Sequence, residues 1–397
     1  MSNSPYNRVS LSNRYFVLLT LCCFACLTVL VLVETENGVS QSTLGSALNQ
    51  RVNTCEEYLE VINPPFVAIL VDSFVLQAME MSACRNLTVA RIKLAVQDKS
   101  LHPADTRYEL ITYETDPQYD FLLFHDDVDR IIPRPKQSDI VFRRNLMIPT
   151  SISNFNQLWK RSRLINCIGL NVPRNNTGKK PKIQVPEAVA MLANLRDTLL
   201  TYGMFSFLMC GSLLGWYREC GMIPHTNDLD VGIFIEDYND KFVLDIVDNK
   251  TDFKLKRRFG LINDSYELTV ATRKGKSLPV DVFFVYKDNE TSWFGGTGGD
   301  GKKSRFNFPS YDPFCAGILH GHIFWVTCHP EKMLKVEYGS EWHLDHPSSK
   351  FKWNYSAKNY KPAGQWPKNT FKKEVFWLDS YNITLKEFLK NQKQKYG

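Results

Sequence analysis

A strong charge of either sign is what this chain lacks first: 48 Lys and Arg against 42 Asp and Glu leave a formal +6 over 397 residues. That balance is too weak for a nucleic-acid protein, and it leaves room for phosphorylated or other anionic ligands. Internal repeats and low-complexity tracts are missing as well, which excludes solenoids and arrays. With 44% hydrophobic and 23% charged residues, disordered, collagen and coiled-coil classes are also out. At roughly 150 residues per domain the length suits two to three domains. The final KQKYG is not a KDEL-type retrieval signal.

Charge is missing locally too. Tyr15 to Val33 (YFVLLTLCCFACLTVLVLV) holds 19 residues without a charged side chain, and at about 1.5 Å per residue it spans about 28 Å, close to a bilayer core. Arg8 and Arg14 precede it, whereas Glu34 and Glu36 follow. The positive-inside rule therefore makes residues 1–14 a cytosolic tail and 15–33 a transmembrane signal anchor. A cleaved signal peptide would show a shorter apolar run of about 7–15 residues and a prompt small-x-small site. Residues 34–50, rich in Ser, Asn and Gln, read as a stalk.

A luminal address predicts glycosylation acceptors and cysteines able to pair. Asn-X-Ser/Thr occurs at Asn86, Asn175, Asn249, Asn263, Asn289, Asn354 and Asn382, all beyond the anchor. Cys22, Cys23 and Cys26 lie in the apolar run, leaving Cys55, Cys84, Cys167, Cys210, Cys220, Cys315 and Cys328. Seven is odd, so one is free or pairs between chains. Cys315 and Cys328 flank a short segment that suits a stapled hairpin. Among these seven there is no Cys-x-x-Cys pair and no Cys/His zinc spacing, which argues against a structural zinc.

The first globular region contains apolar runs at Pro65–Leu76 and Tyr119–Phe124, which suit an α/β or α+β module. Its acidic cluster, His125-Asp126-Asp127-Val128-Asp129, reads as solvated surface, because no phosphate-binding turn precedes it. Asn171 to Lys182, polar and broken by Pro and Gly, is the best boundary. Beyond it, Pro186 to Tyr202 predicts an amphipathic helix with Val189, Leu192, Leu195 and Leu199 inward and Gly203 at its end.

Phe205 to Cys210 predicts a buried strand, broken by Gly211-Ser212 and followed by a short helix from Leu213 to Cys220. A glycine where strand meets helix leaves room for backbone N–H groups and the Ser212 hydroxyl to hold a phosphate oxygen. Alone, Gly-Ser reads more simply as a helix cap. On the next strand, Asp228 to Ile235, Asp228 and Asp230 share one face, opposite Leu229, Val231 and Ile233. Two carboxylates so placed repel unless a cation joins them, and Mg²⁺ or Mn²⁺ takes oxygen ligands. Leu278 to Tyr286 is apolar except for Asp281, a carboxylate that is costly to bury unless paired or metal-bound. Glu267 to Arg273, the turn at Lys274–Ser277 and this strand suggest a hairpin that sets Asp281 beside the first two acids. Three carboxylates facing a phosphate turn suit metal-assisted phosphoryl transfer, in which one of them also draws the proton from the attacking hydroxyl. This set resembles the nucleotidyltransferase superfamily.

The resemblance narrows at Cys210 to Phe234, CGSLLGWYRECGMIPHTNDLDVGIF, which is similar to the LicD domain and to the fukutin family. It continues through Val280-Asp281-Val282-Phe283-Phe284, Gly295-Gly296-Thr297, Gly301-Lys302-Lys303, Tyr338-Gly339 with Trp342, and Gly364-Gln365-Trp366-Pro367. It reaches more weakly to Val71-Asp72-Ser73. The expected fold class is α/β (mixed α+β). A nucleotidyltransferase-like catalytic domain with a central mixed sheet spans 176–397, preceded by an α/β luminal stem domain over 51–175 and one transmembrane helix.

The resemblance implies a Golgi type II enzyme that moves ribitol phosphate from CDP-ribitol onto an O-mannosyl glycan of a dystroglycan-like glycoprotein. The acceptor hydroxyl attacks the polyol-bearing phosphorus and CMP leaves. By matching position, Asp228, Asp230 and Asp281 bind Mg²⁺ or Mn²⁺, with Asp281 the candidate proton acceptor, and Gly211 and Ser212 hold phosphate. Arg218 either neutralises the diphosphate or is an exposed helix cation. Lys302, Lys303 and Arg305 either meet an anionic substrate or line a solvated loop, and Trp216, Trp293 and Trp342 are core aromatics unless they stack on sugars. His225 is assigned no role. No nucleic-acid partner is expected, and a complex with other glycosyltransferases or a homo-oligomer stays open. Rival functions are phosphocholine or glycerol-phosphate transfer on the same fold, a D-x-D glycosyltransferase, which has no need of the Gly-Ser turn, and an inactive membrane-anchored scaffold, which has no need of an intact acid trio.

Overall fold

Helix caps, hairpin turns and buried β-branched runs build the architecture seen in a computed structural model, which describes residues 52–87, 91–101, 105–174, 184–347, 350–380 and 384–396. The expected tail, anchor and stalk lie outside them. Among the described residues no helix is long and apolar enough to cross a membrane. The chain forms two compact units. In the smaller, within residues 52–62 and 82–87, helix α1 (Cys55–Val61) is capped by the Thr54 side chain and tied to the next turn by the Cys55–Cys84 disulfide.

The larger unit carries two mixed sheets. The first has the order β5-β4-β3-β2-β1-β7-β6. Its strands are β1 (Ala68–Leu70), β2 (Ile92–Val96), β3 (Tyr108–Thr115), β4 (Phe121–His125), β5 (Arg130–Pro133), β6 (Ile140–Arg143) and β7 (Leu146–Pro149). Helices α2 (Ser73–Glu80) and α3 (Ile152–Lys160) pack on each other beside it. Asp72 caps α2 by accepting the N–H groups of Phe74 and Val75. In the acidic cluster Asp126 pairs with Lys93 and His125 meets Asp129, while Asp127 and Asp129 are exposed.

The second sheet follows helix α4 (Val185–Thr201) and holds strands β8 (Ser206–Leu208), β9 (Leu229–Phe234), β10 (Phe253–Leu261), β11 (Asp264–Thr272), β12 (Val280–Asp288), β13 (Thr291–Thr297), β14 (Lys302–Pro309), β15 (Phe314–Leu319), β16 (His322–Thr327), β17 (Tyr360–Gln365) and β18 (Phe376–Leu378). Its main path is β15-β16-β8-β9-β12-β11-β10-β18, with β13, β14 and β17 branching from β12. Helix α5 (Cys210–Glu219) leads from β8 to β9, α6 (Asp240–Val247) precedes β10, and α7 (Pro330–Tyr338) packs on α5. The expected α4 face is buried at Val189, Leu192, Leu195 and Leu199. Gly203, at φ 73°, takes the left-handed turn past its end, which favours a residue without a Cβ.

Two differences from the sequence reading concern the strand before the site. It ends at Leu208 rather than Cys210, and α5 begins before Gly211 rather than after Ser212. Met209 is fully buried and its carbonyl accepts the Leu213 N–H at 3.1 Å. Apolar burial therefore outlasts the strand and hides its end. The Cys315–Cys328 bridge staples the β15–β16 hairpin as expected, Cys167 pairs with Cys220, and Cys210 is the free thiol among the described cysteines. Asn249, Asn263, Asn289 and Asn354 are exposed.

Candidate active site

The β11–β12 hairpin does what the sequence suggests: β12 lies parallel to β9 with Asp281 directly opposite Asp230. Cross-strand partners project to the same face, and Asp228, one residue before β9, joins them at the wall of a cavity of about 380 Å³. All three expected acids therefore line one space. Val231 and Ile233 are buried on the strand's other positions.

Each acid is held by a donor. The Gly211 N–H donates to Asp230 Oδ2 at 3.0 Å, and the Ser212 hydroxyl accepts the Asp230 N–H at 2.8 Å. Thr226 donates its hydroxyl to Asp228 Oδ1 at 3.3 Å. Arg257 Nη2 donates to Asp281 Oδ1 at 2.8 Å, and the Thr269 hydroxyl donates to the same oxygen. Gly211 and Ser212, expected to hold phosphate, thus grip Asp230 in this state. A Cβ at position 211 would sit 3.1 Å from that carboxylate, so glycine is what lets α5 start so close.

Burial, and then the negative charge of Asp281, holds the Asp228 carboxyl above the ordinary range. Asp230 is pushed up further, by burial first and then by Asp228, Asp281 and Glu337. A site that makes its own carboxylates hard to ionise is short of positive charge. Among the described residues no group of three or more His, Cys, Asp or Glu is gathered closely enough to cage a metal. The donor chemistry still fits a hard divalent ion: clustered carboxylate oxygens, no competing thiolate or imidazole among the trio, and an unmet demand for cation.

Arg218 is not an exposed helix cation. It is 2% exposed, with donors on Glu219 and on the carbonyls of Trp342 at 3.2 Å and Leu344 at 2.7 Å. It borders the cavity and anchors the Trp342–Leu344 segment, two residues of which line it. Trp342 lines the cavity, whereas Trp216 is core, its indole donating to the Ile318 carbonyl at 3.0 Å, and Trp293 stacks on Tyr286. The basic cluster is paired: Lys303 with Asp264, Arg305 with Asp288 and Lys302 with Asp300. His225 meets Asp345 at 2.9 Å.

Lining groups that escaped sequence reasoning include Arg257 on β10, Glu267 on β11, Glu337 on α7, and Asp345 and His346 beyond it. Thr269, which bonds Asp281 from β11, escaped it as well. The strand alternation Glu267, Thr269 opposite Phe283, Asp281 was the available signal, but it needed the register between β11 and β12. Aromatic residues hold much of the remaining wall, with Phe259, Phe283, Phe294, Phe306, Phe351 and Trp353.

A mixed sheet with paired acids on adjacent parallel strands, beside a Gly-Ser helix start, defines a nucleotidyltransferase-like domain. Residues 203–329 match the family described as LicD/FKTN/FKRP, nucleotidyltransferase domain, and residues 54–166 match that described as W02B3.4-like, N-terminal domain. Among curated proteins, the chain is 42% identical to the uncharacterised protein W02B3.4 of Caenorhabditis elegans over 328 residues, covering 80% of this chain and 84% of the relative. It is 38% identical to T07A5.1 of the same organism over 322 residues, covering 79% and 84%. It is 35% identical to the Homo sapiens ribitol-5-phosphate transferase FKTN over 190 residues, covering 46% of this chain and 40% of that one. The chain belongs to the fukutin/LicD family. The segment matching the LicD domain contains Gly211, Ser212, Arg218 and all three acids.

Proposed function

We propose that this protein is a metal-dependent phosphotransferase of the Golgi membrane that moves a polyol phosphate, ribitol 5-phosphate from CDP-ribitol, onto a glycan hydroxyl of an O-mannosylated glycoprotein, with release of CMP. The observation that carries this reading is the meeting of Asp228, Asp230 and Asp281 in one cavity inside the segment that matches a family with a ribitol-5-phosphate transferase. The single-pass type II address rests on the apolar run at 15–33 and the sequons beyond it.

The three acids would hold Mg²⁺ or Mn²⁺, and the ion supplies positive charge to the donor's diphosphate. Everything else falls to the chain. The grip of Gly211 and Ser212 fixes Asp230 of β9 against the start of α5, Arg257 brings a cation to the trio, and the aromatic side chains offer flat apolar surface to a base or sugar. Acceptor and donor held together there gain from orientation alone.

The test is CMP release by the full-length chain in detergent, with Mn²⁺ or Mg²⁺, across CDP-ribitol, CDP-glycerol and CDP-choline and O-mannosyl phosphoglycopeptide acceptors. Release that needs both acceptor and metal, with CDP-ribitol preferred, is the expected result. Preference for another donor would reassign the substrate within the fold. Silence in a folded protein that binds no Mn²⁺ would favour a scaffold.

A further inference from the structure

Four carboxyl groups, not three, face the β9–β12–β11 wall of the cavity. Glu267 lies on β11, opposite Phe283 of β12 and Phe259 of β10. Two residues along, Thr269 pairs with Asp281, so strand alternation puts Glu267, Thr269 and Asp281 on one face. Glu267 is 7% exposed and borders the cavity.

Its surroundings differ from those of the other three. Asp230 accepts from Gly211, Asp228 from Thr226, and Asp281 from Arg257 and Thr269. Among the described residues no donor hydrogen-bonds to Glu267. A buried carboxyl without a partner is costly to keep, and hydrogen bonds to a carboxylate weaken it as a base. Glu267 is thus the least quenched by the protein itself of these four carboxyls.

We infer that Glu267 is a catalytic residue of the transfer reaction, accepting the proton of the attacking glycan hydroxyl, a role separate from the ion-binding one of Asp228, Asp230 and Asp281. The inference rests on the proposed function. In the step, the acceptor oxygen forms the new P–O bond to the polyol-bearing phosphorus. The bond from that phosphorus to the bridging diphosphate oxygen breaks, and CMP leaves with its electron pair. The hydroxyl proton passes to a Glu267 Oε. Charged groups facing Glu267 are Asp281 on β12, Asp228 before β9 and Arg257 on β10. Burial first, then Asp281, pushes its carboxyl up to about 8, against the pull of Arg257.

The experiment compares full-length wild type with Glu267→Gln and Asp230→Asn, using the donor that wild type turns over. The isosteric amide keeps the packing, and an unchanged melting temperature checks this. The expected result is a kcat loss of roughly 10²–10⁴-fold in Glu267→Gln, the range of general-base removal. Its Mn²⁺ affinity by titration should stay within about threefold of wild type, which loss of an ion ligand would not allow. A kcat within about threefold of wild type overturns the inference. Loss of Mn²⁺ affinity matching that of Asp230→Asn also overturns it and makes Glu267 an ion ligand. If wild type itself turns over no donor, the proposed function fails, and this role falls with it.

Discussion

Asp230 serves two structures at once, because its backbone N–H is taken by Ser212, its carboxylate by Gly211, and its negative charge is opposed by Asp228, Asp281 and Glu337. Such a residue trades stability for function, which can be measured. Its folded value lies well above the unfolded one near 3.9, so ionisation opposes folding. The cost is absent below about pH 4 and grows as pH rises towards the folded value. Asp230→Asn, melted in EDTA, should match wild type at pH 4 and melt higher as pH rises to 8. The same variant should lose roughly 10²–10³-fold in CMP release, as when one pre-positioned charge-stabilising group is removed. A variant that is both active and no more stable would remove Asp230 from the site and from this account of its charge.

Helix α5 presents Gly211 and Ser212 correctly only if it keeps its place on the sheet, and β15 helps to fix that place through Trp216. A Cβ on Gly317 would fall 2.3 Å from the Trp216 indole. The backbone there is the floor of the indole's slot. Gly317→Ala should cost about 1–3 kcal/mol by overpacking, lower the melting temperature, and reduce turnover well below the transition by shifting α5. Unchanged turnover in a destabilised protein would show that α5 and the acids move independently. At this scale the sequence was readable where burial has a price in charge: Asp281 interrupts an apolar strand, and Asp228 and Asp230 share a face. Arg257 gave no such signal, being one of four cations in Lys254-Leu255-Lys256-Arg257-Arg258. Its neighbour Arg258 is 2% exposed and donates to the Glu374 carbonyl, so adjacent, identical residues do opposite jobs. Glu267 likewise reads as the wet face of a strand until β10 and β12 enclose it. The end of β8 was hidden because Met209 stays buried past the last strand residue.

Across the large unit, one carboxylate beside β4 is among the links that tie the sheet carrying the acids to the seven-stranded sheet. Asp120 accepts the Ile323 N–H at 2.9 Å, Arg196 Nη2 at 2.9 Å and His322 Nδ1 at 2.8 Å, joining β4, α4 and β16. Arg196 is 2% exposed, and its other donors go to Asp197 and the Ile323 carbonyl. Burial resists the Asp120 charge, but His322, Arg196 and Ile323 together outweigh it and hold the carboxyl below its ordinary value. With the folded value depressed, its stabilisation is present above the unfolded value near 3.9 and is lost as pH falls through the folded one. Asp120→Ala should therefore cost about 2–3 kcal/mol at pH 7, the scale of hydrogen bonds to a charged group with a buried partner left behind. The difference from wild type should shrink steadily below pH 4 in urea titrations. Because the link lies away from the acids, CMP release per folded molecule should stay close to wild type. A variant that matched wild-type stability at pH 7 would show that the other contacts between the two sheets suffice without Asp120.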